Sequence, residues 1–268
     1  MPERGPTLAS GSEEDWRKTE NNNLQKHKKQ DSQTVQARLT WVLKFGVKFF
    51  LTTFFASIAF VLLFKWVAPP TSSFMIQKML AGMPSSGSDK KVHYQWIDYD
   101  EISSYAKIAV VAGEDQNFPN HSGFDFQAIE KAWNQSKKGK RLRGASTISQ
   151  QVAKNLFLWS GRSYFRKALE AYFTILIEMI WSKQRILEVY LNIAQMGEWI
   201  FGVGAASEIY FHVPASRLSR QQAALLAAVL PNPERYSVTK PSGYVRYRQR
   251  WILRQMHQLG GNNYLDEL

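Results

Sequence analysis

Residues 113–125 read GEDQNFPNHSGFD and place two adjacent carboxylates where an apolar run gives way to a loop rich in Gly, Pro and Asn. The apolar run, Ile108 to Ala112, indicates a helix that ends close to the two acids. A glutamate at such a junction is held by the scaffold and still faces the loop side, where substrates bind. A general base needs this placement, because its carboxylate must reach the proton that it removes. Glu114 is therefore the first candidate catalytic residue.

A second block, GASTISQQVAKN at residues 144–155, predicts a helix with one polar side. Thr147 and Gln150 have the spacing of a capping box at its start. The residues at core-facing spacing are Ile148, Val152 and Leu156. The polar heads of Gln150, Gln151 and Lys154 then gather on the other side. This donor-rich surface suits sugar hydroxyls and a phosphate, and the alternative is a solvated helix face.

Three cations follow this helix closely, Arg162, Arg166 and Lys167. They favour a cluster of positive charge that faces the same point as Lys154. Glu170 lies four residues after Arg166, so it is either half of an ordinary helical ion pair or a second acid opposite Glu114. Two carboxylates that flank a reacting sugar carbon are common in glycosyl-group chemistry.

The composition narrows the chemistry. The 268 residues are 44% hydrophobic, which is enough for one sizeable domain with appendages. There is no cysteine, which excludes disulfides, thiolate metal sites and a cysteine nucleophile. The net charge of +12 favours polyanionic partners such as nucleic acid, anionic lipid or a diphosphate-bearing substrate.

One segment is apolar on all sides, FFLTTFFASIAFVLLF at residues 49–64. With lysines that can snorkel and a tryptophan at each interface, it predicts a membrane span over residues 41–67. Lys and Arg are more frequent before the span than after it. The positive-inside rule then predicts a cytoplasmic N-terminus and an external catalytic domain, where ATP and NAD are absent.

The rest of the chain divides by composition. Residues 1–40 are polar and Lys-rich, which predicts a disordered cytoplasmic tail. Residues 68–91 contain Pro and Ser/Gly, which indicates a membrane-proximal linker with one short amphipathic piece. Residues 92–268 are expected to form the catalytic domain.

Helical patterns dominate that domain, so we predict a mainly α fold. Expected helices cover Ile102–Ala112 with Asp98 or Asp100 as cap, Arg166–Trp181, Lys183–Ile193, and Ala223–Leu230 after a Ser219/Gln222 capping box. Strand signal is confined to about residues 92–97.

Several long motifs carry a resemblance to a known family. They are EDQNFPNHSGFD, GASTISQQVAKNLF, RKALE with the following WSKQRILEVYLNIA, and GVGAASEIYF. In order and spacing they resemble the peptidoglycan glycosyltransferases, glycosyltransferase family 51, over about residues 92–240. In length the chain is similar to the monofunctional members of this family, which lack a transpeptidase domain. The resemblance implies a lysozyme-like helical domain behind a single N-terminal transmembrane helix.

The resemblance also implies an activity. Members polymerise lipid II into glycan strands by inverting transfer of the growing chain, linked to undecaprenyl diphosphate, onto the GlcNAc 4-hydroxyl of another lipid II. Expected partners are lipid II, the undecaprenyl-diphosphate-linked glycan, membrane lipids and other cell-wall synthesis or division proteins, with no nucleic acid. No cofactor and no metal site are expected, and a divalent cation would act only through the substrate diphosphate. The expected location is the inner membrane, with the catalytic domain in the periplasm.

Carried over by position, the family motifs give roles to individual residues. Glu114 matches the catalytic base, and Glu170 a second essential glutamate that either organises cations or takes part in the chemistry. Substrate-binding positions are Ser146, Gln150, Gln151, Lys154 and Arg162, of which Lys154 and Arg162 would hold the diphosphate. Supporting positions are Asp115, His121, Arg166 and Lys167. Asp115 is equally readable as a loop cap. His121 resembles a motif histidine, and a residue that orders the loop is favoured over a proton carrier.

Two features lie beside these motifs. Gln195 and Gln222 stand where relatives often carry an acid, and Gln222 still suits a capping box. Residues 124–143 combine Phe124, Phe126, Ile129 and Trp133 with a basic run, which suits either a flap on the membrane surface or a mobile solvated loop.

Three other functions compete with glycan polymerisation. A lysozyme-like hydrolase or lytic transglycosylase would need the glutamate but no cation cluster. A non-catalytic membrane-anchored scaffold would tolerate the loss of Glu114. Nucleic-acid binding would explain the charge but neither the membrane segment nor the acidic motif.

Overall fold

This computed structural model describes residues 11–82, 91–137 and 146–268. These residues contain ten α-helices and one two-stranded sheet, together with short 3₁₀ helices and loops. The helices are α1 (Gly11–Leu63), α2 (Ser73–Gly82), α3 (Ser104–Glu114), α4 (Phe126–Lys137), α5 (Ile148–Phe157), α6 (Tyr164–Ile180), α7 (Lys183–Ile193), α8 (Gly202–Phe211), α9 (Arg220–Val229) and α10 (Gly243–Gln258). The strands are β1 (His93–Tyr94) and β2 (Ile200–Phe201), which pair in parallel. The prediction of a mainly α fold is confirmed.

The first helix contains the apolar segment. Its part Arg38–Leu63 is long and apolar enough to cross a membrane, by length and composition. The cytoplasmic tail expected over residues 1–40 stays a prediction, and α1 begins within that stretch at Gly11. No Gly or Pro occurs from Ser12 to Phe45, so nothing in this stretch interrupts a helix. Residues 1–10 lie outside the described residues.

The chain divides into two units after Ala59, and the second unit, Phe60–Leu268, holds the hydrophobic core. In that unit α5 packs against α6 and α7, while α3 packs against α9 and α10. The predicted apolar stripe of α5 is buried, with Ile148 and Val152 fully enclosed and Leu156 6% exposed. These two layers meet where α3 ends and α5 begins.

Both predicted capping boxes are present. Thr147 and Gln150 form one at the start of α5, and Ser219 and Gln222 form the other at the start of α9. Each box satisfies two backbone amides that a helix N-terminus leaves unpaired. The predicted helix Lys183–Ile193 is confirmed with its bounds. The one expected at Arg166–Trp181 begins two residues earlier, after the cap Ser163.

Two local predictions are wrong. The cap of α3 is Ser103, whose hydroxyl accepts from Tyr105 N and donates to Leu218 O. The expected caps Asp98 and Asp100 lie instead beside or within a 3₁₀ turn that precedes the helix. The strand expected over residues 92–97 is only two residues long, because its partner β2 is equally short. The amphipathic piece expected in the linker is α2, and residues 83–90 lie outside the described residues.

Candidate active site

Glu114 is the last residue of α3, at the point where the helix gives way to a loop. The helix reaches this point almost fully buried, since residues 106–112 are enclosed by α9, α10 and α7. Gly113 lets α3 approach α10 closely, because a methyl group there would lie 3.3 Å from Ile252 Cδ1. The backbone beneath Glu114 is therefore fixed by core packing.

The Glu114 side chain faces a cavity of about 1180 Å³. Its polar and charged lining residues are Glu114, Asp115, Gln116, Asn117, Asp125, Gln127, Lys131, Ser146, Thr147, Gln151, Lys154, Asn232, Tyr236, Tyr244 and Arg248. The volume is slightly above the usual range of about 300 to 1,000 Å³ for ligand pockets. Five sequence-predicted site residues thus meet at one cavity, namely Glu114, Asp115, Ser146, Gln151 and Lys154.

Two side-chain donors hold the Glu114 carboxylate. Arg248 Nη2 donates to Oε1 at 2.9 Å, and Gln151 Nε2 donates to Oε2 at 3.1 Å. The same Nη2 of Arg248 also donates to the Gly113 carbonyl oxygen at 3.1 Å. Gln151 in turn accepts from the hydroxyl of Tyr190 at 3.2 Å. Each carboxylate oxygen keeps a further lone pair for another proton or donor.

The charge state of Glu114 is set by opposing influences. Burial raises the pKa of Glu114 above its ordinary value, and the Arg248 guanidinium, the Gln151 amide and Lys154 act in the opposite direction. A carboxyl whose pKa is raised in this way is a stronger base than an exposed glutamate.

Arg248 is a site residue that the sequence interpretation missed. It lies on α10, and the side chain is 20% exposed. The segment VRYRQRWILRQM does carry a helical apolar pattern, through Val245, Ile252 and Met256, which are all buried. That pattern could have predicted α10, but not which of its arginines turns inward toward Glu114.

Asp115 and His121 form a buried pair beside Glu114. Asp115 Oδ2 accepts from His121 Nε2 at 3.0 Å and from Ile148 N, the first amide of α5, at 2.9 Å. His121 Nδ1 accepts from Gly123 N at 3.1 Å, which leaves Nε2 as the ring nitrogen that donates to Asp115. This arrangement joins the loop after α3 to the start of α5.

Gln150 does not join the cavity lining. It is 5% exposed, and its Oε1 accepts from Thr147 N within the capping box. Thr147 extends this contact, because its hydroxyl donates to Gly123 O at 2.6 Å. Only Gln151 and Lys154 of the three predicted polar heads reach the cavity, since the capping box turns Gln150 back to its own helix.

The predicted cation cluster is centred on Glu170. This carboxylate is 3% exposed, accepts from Arg166 Nη1 at 2.9 Å, and forms a second ion pair with Lys167. Lys154 lies close enough to feel these charges. Burial lowers the pKa of Lys154, Glu170 raises it, and Arg166 and Lys167 lower it. Among the described residues, Lys154 Nζ has no hydrogen-bond or ion-pair partner.

The remaining predicted residues lie outside the cavity lining. Arg162 is exposed in the loop between α5 and α6. Arg166, Lys167 and Glu170 are absent from the cavity lining, although their charges act on Lys154. Within the described residues no group of three or more His, Asp or Glu could hold a metal ion.

The segment with the predicted flap contains α4, which buries only Ala132. Its apolar side chains are exposed, with Phe126 at 75%, Ile129 at 38% and Trp133 at 58%. Residues 138–145, which include the basic run, lie outside the described residues.

Comparison with known proteins adds independent information. A family model described as Transglycosylase matches residues 81–257. A protein of Pseudomonas putida (strain F1) named biosynthetic peptidoglycan transglycosylase is 55% identical over 212 residues, covering 79% of this chain and 89% of the relative. Proteins of the same name are 55% identical in Cronobacter sakazakii, covering 78% and 86% of the two chains, and 56% identical in Klebsiella oxytoca, covering 76% and 85%.

Proposed function

The chain belongs to the transglycosylase family and is a glycosyltransferase that polymerises peptidoglycan glycan chains for the cell wall, and we propose that it does so in the cavity beside Glu114. In this proposal the donor is a glycan chain on undecaprenyl diphosphate and the acceptor is lipid II. The acceptor 4-hydroxyl oxygen bonds to the donor anomeric carbon from the face opposite the diphosphate. The bond from that carbon to the diphosphate oxygen breaks, and the lipid diphosphate leaves with the electron pair.

Glu114 is the general base that takes the proton of the acceptor hydroxyl. One observation carries this assignment. In the described part of the chain, three acids line the cavity. Asp115 and Asp125 accept from backbone amides, at Ile148 N and Ala128 N, whereas Glu114 accepts only from side chains there. Glu114 is thus the acid whose carboxylate is oriented into the cavity without serving as a structural cap. Geometry and charge state both suit the removal of a proton.

Lys154 stabilises the leaving diphosphate. It lines the same cavity as Glu114, and among the described residues its ammonium has no hydrogen-bond or ion-pair partner. A fixed cation in a water-poor cavity stabilises charge that develops in the transition state. Arg166 and Lys167 add positive potential from behind, and Glu170 organises this cluster through its two ion pairs. Arg162, which is exposed in the loop between α5 and α6, would bind the diphosphate from that loop.

The other predicted residues take supporting parts in the proposal. Ser146 contacts the donor sugar at the cavity wall, and Gln151 shares its amide between the donor site and Glu114. Gln150 acts through the capping box that sets the start of α5. Asp115 and His121 hold the loop that follows Glu114 against that same helix start.

The reaction is proposed to occur at the membrane surface. The segment Arg38–Leu63 supports a membrane anchor. The excess of Lys and Arg before it supports a cytoplasmic N-terminus, with residues 92–268 as a catalytic domain on the periplasmic side of the inner membrane. The substrate lipid would enter from the same bilayer, where membrane lipids and other cell-wall synthesis or division proteins are the expected neighbours.

The test is polymerisation of fluorescent lipid II by the purified full-length protein in detergent. Glu114→Gln keeps the size of the side chain and removes the base, so we expect no glycan polymer from this variant. Glu101→Gln, an exposed acid outside the cavity, is the matched control and should polymerise like the wild type. Equal polymer from wild type and Glu114→Gln would refute the assignment.

A further inference from the structure

Residues from three other helices hold Glu114 through hydrogen bonds. Two of these residues, Tyr190 and Arg248, have no assigned role so far. We propose that Tyr190 of α7 and Arg248 of α10 are positioning residues that fix the orientation of the Glu114 carboxylate during the transfer reaction. The inference rests on the proposed role of Glu114 as the base. Neither residue needs to touch the reacting atoms, because each acts through a hydrogen bond to Glu114 or to the partner of Glu114.

Tyr190 acts through Gln151. Its side chain is 1% exposed, and its hydroxyl donates to Gln151 Oε1 at 3.2 Å. An amide whose oxygen is occupied by this donor must present its nitrogen on the other side. That nitrogen, Nε2, donates to Glu114 Oε2 at 3.1 Å. The buried hydroxyl therefore determines which end of the Gln151 amide faces the carboxylate.

Arg248 links the Glu114 carboxylate to the backbone of α3, the helix that carries Glu114. Its Nη2 donates both to Glu114 Oε1 at 2.9 Å and to the Gly113 carbonyl oxygen at 3.1 Å. A guanidinium has a rigid planar group of donors, so these two contacts restrict the carboxylate to a narrow range of directions. A lysine could supply the charge at this position but not the same planar geometry.

The two contacts together leave Glu114 little freedom. One oxygen is held from α10 and the other from α5, which α7 supports through Tyr190. Small misplacement of a catalytic group is costly, because the reacting atoms must be held within a fraction of an ångström of the productive geometry. Loss of the Arg248 contact or of the Tyr190 contact should therefore slow the transfer step more than it weakens substrate binding.

The same contacts influence ionisation. The charged or titratable groups around Glu114 are Arg248 on α10, Lys154 on α5, Tyr190 on α7 and Asp115 next in the chain. Arg248 and Gln151 both oppose the effect of burial on the pKa of Glu114. Removing Arg248 should therefore raise that pKa, and the acid side of the activity profile should move to higher pH.

The experiment measures kcat and KM for lipid II polymerisation across pH, with the full-length protein in detergent. For Arg248→Gln we expect the acid limb of kcat/KM to move up by about one pH unit, the lower end of the effect of a neighbouring opposite charge. Arg248→Lys should keep the limb near the wild-type position while kcat falls. For Tyr190→Phe we expect a kcat about fivefold lower, the size of one hydrogen bond between neutral groups, and an unchanged KM.

Two matched variants control for general damage. Tyr210→Phe removes the hydroxyl of a half-buried tyrosine outside the cavity, which contacts Met196 O, and Arg250→Gln removes an exposed charge from α10. Both should keep wild-type kcat and pH profile. Thermal melting of each variant identifies any that fail to fold, and if Tyr190→Phe does not fold, the two Arg248 variants decide the proposal.

The outcomes separate this proposal from the one it rests on. An unmoved acid limb in Arg248→Gln, or wild-type kcat in a folded Tyr190→Phe, overturns the positioning roles if Glu114→Gln is inactive. An active Glu114→Gln overturns the base assignment itself, and the positioning proposal falls with it. A limb that moves upward, with kcat reduced and KM unchanged in Tyr190→Phe, supports both.

Discussion

Lys154 of α5 and Phe74 of α2 are neighbours, with Lys154 Nζ 5.5 Å from the centroid of the Phe74 ring. Gln77, on the same helix as Phe74, donates to Leu158 O at 3.2 Å and accepts from Ser160 N at 2.6 Å. The helix that follows the apolar segment in the chain thus contacts both α5 and the loop after it. The cation side of the cavity is therefore supported by α2.

Lys154→Ala should lower kcat about a hundredfold, the size of effect seen when one fixed donor for a developing anion is removed. Lys154→Arg should retain part of the activity because the charge remains, although the larger head fits the site less well. Single-turnover polymerisation of labelled lipid II measures the transfer step. Lys240→Ala, an exposed lysine outside the cavity, is the control and should be unaffected. Wild-type rates in Lys154→Ala would contradict its role at the diphosphate.

The pH dependence of kcat/KM should be bell-shaped and narrow. Glu114 acts when ionised, and its pKa is raised by burial, so activity is lost on acidification at a higher pH than an ordinary glutamate would dictate. Lys154 acts when protonated, and burial lowers its pKa, so activity is lost on alkalinisation at a lower pH than an ordinary lysine would dictate.

Variants assign the two limbs of that profile. The alkaline limb should move to higher pH in Lys154→Arg, because a guanidinium stays protonated, while the acid limb stays in place. An alkaline limb that does not respond to this substitution would show that another group controls it.

The two capping boxes offer a comparison between a helix start at the cavity and one away from it. Gln150→Ala and Gln222→Ala each remove the same reciprocal contact, so each should lower the free energy of unfolding by about 1 kcal/mol. Chemical denaturation measures this loss.

Activity should distinguish the two substitutions. Gln150→Ala loosens the start of the helix that carries Gln151 and Lys154, whereas α9 contributes no side chain to the cavity lining described here. We therefore expect reduced kcat in Gln150→Ala and nearly normal kcat in Gln222→Ala. Equal losses of activity would mean that only overall stability matters.

Local patterns predicted much of the fold, and tertiary contacts explain most of what they missed. The capping boxes at Thr147 and Ser219 are visible in the sequence because both partners lie three residues apart. The pairing of Arg248 with Glu114 joins residues 134 positions apart, so no local pattern reports it. The sequence predicts Gln150 at the cavity together with Gln151, but the Gln150 side chain accepts from Thr147 N in the capping box instead.

The helix α4 carries an exposed apolar face of Phe126, Ile129 and Trp133, at helical spacing and accompanied by Lys131 and Lys137. Such a face beside cations suits the headgroup region of an anionic bilayer. We predict that Trp133 enters that region when the full-length protein is reconstituted in vesicles that contain phosphatidylglycerol.

Brominated lipids test this insertion, because they quench tryptophan fluorescence only at short range. The signal of Trp133 is obtained as the difference between the wild type and Trp133→Phe, which removes one of nine tryptophans and keeps an apolar ring. We expect this difference to be quenched in anionic vesicles and to recover at high salt, since screening weakens the attraction of Lys131 and Lys137 to the surface. A difference signal that brominated lipids leave unquenched would identify α4 as a solvated surface helix instead.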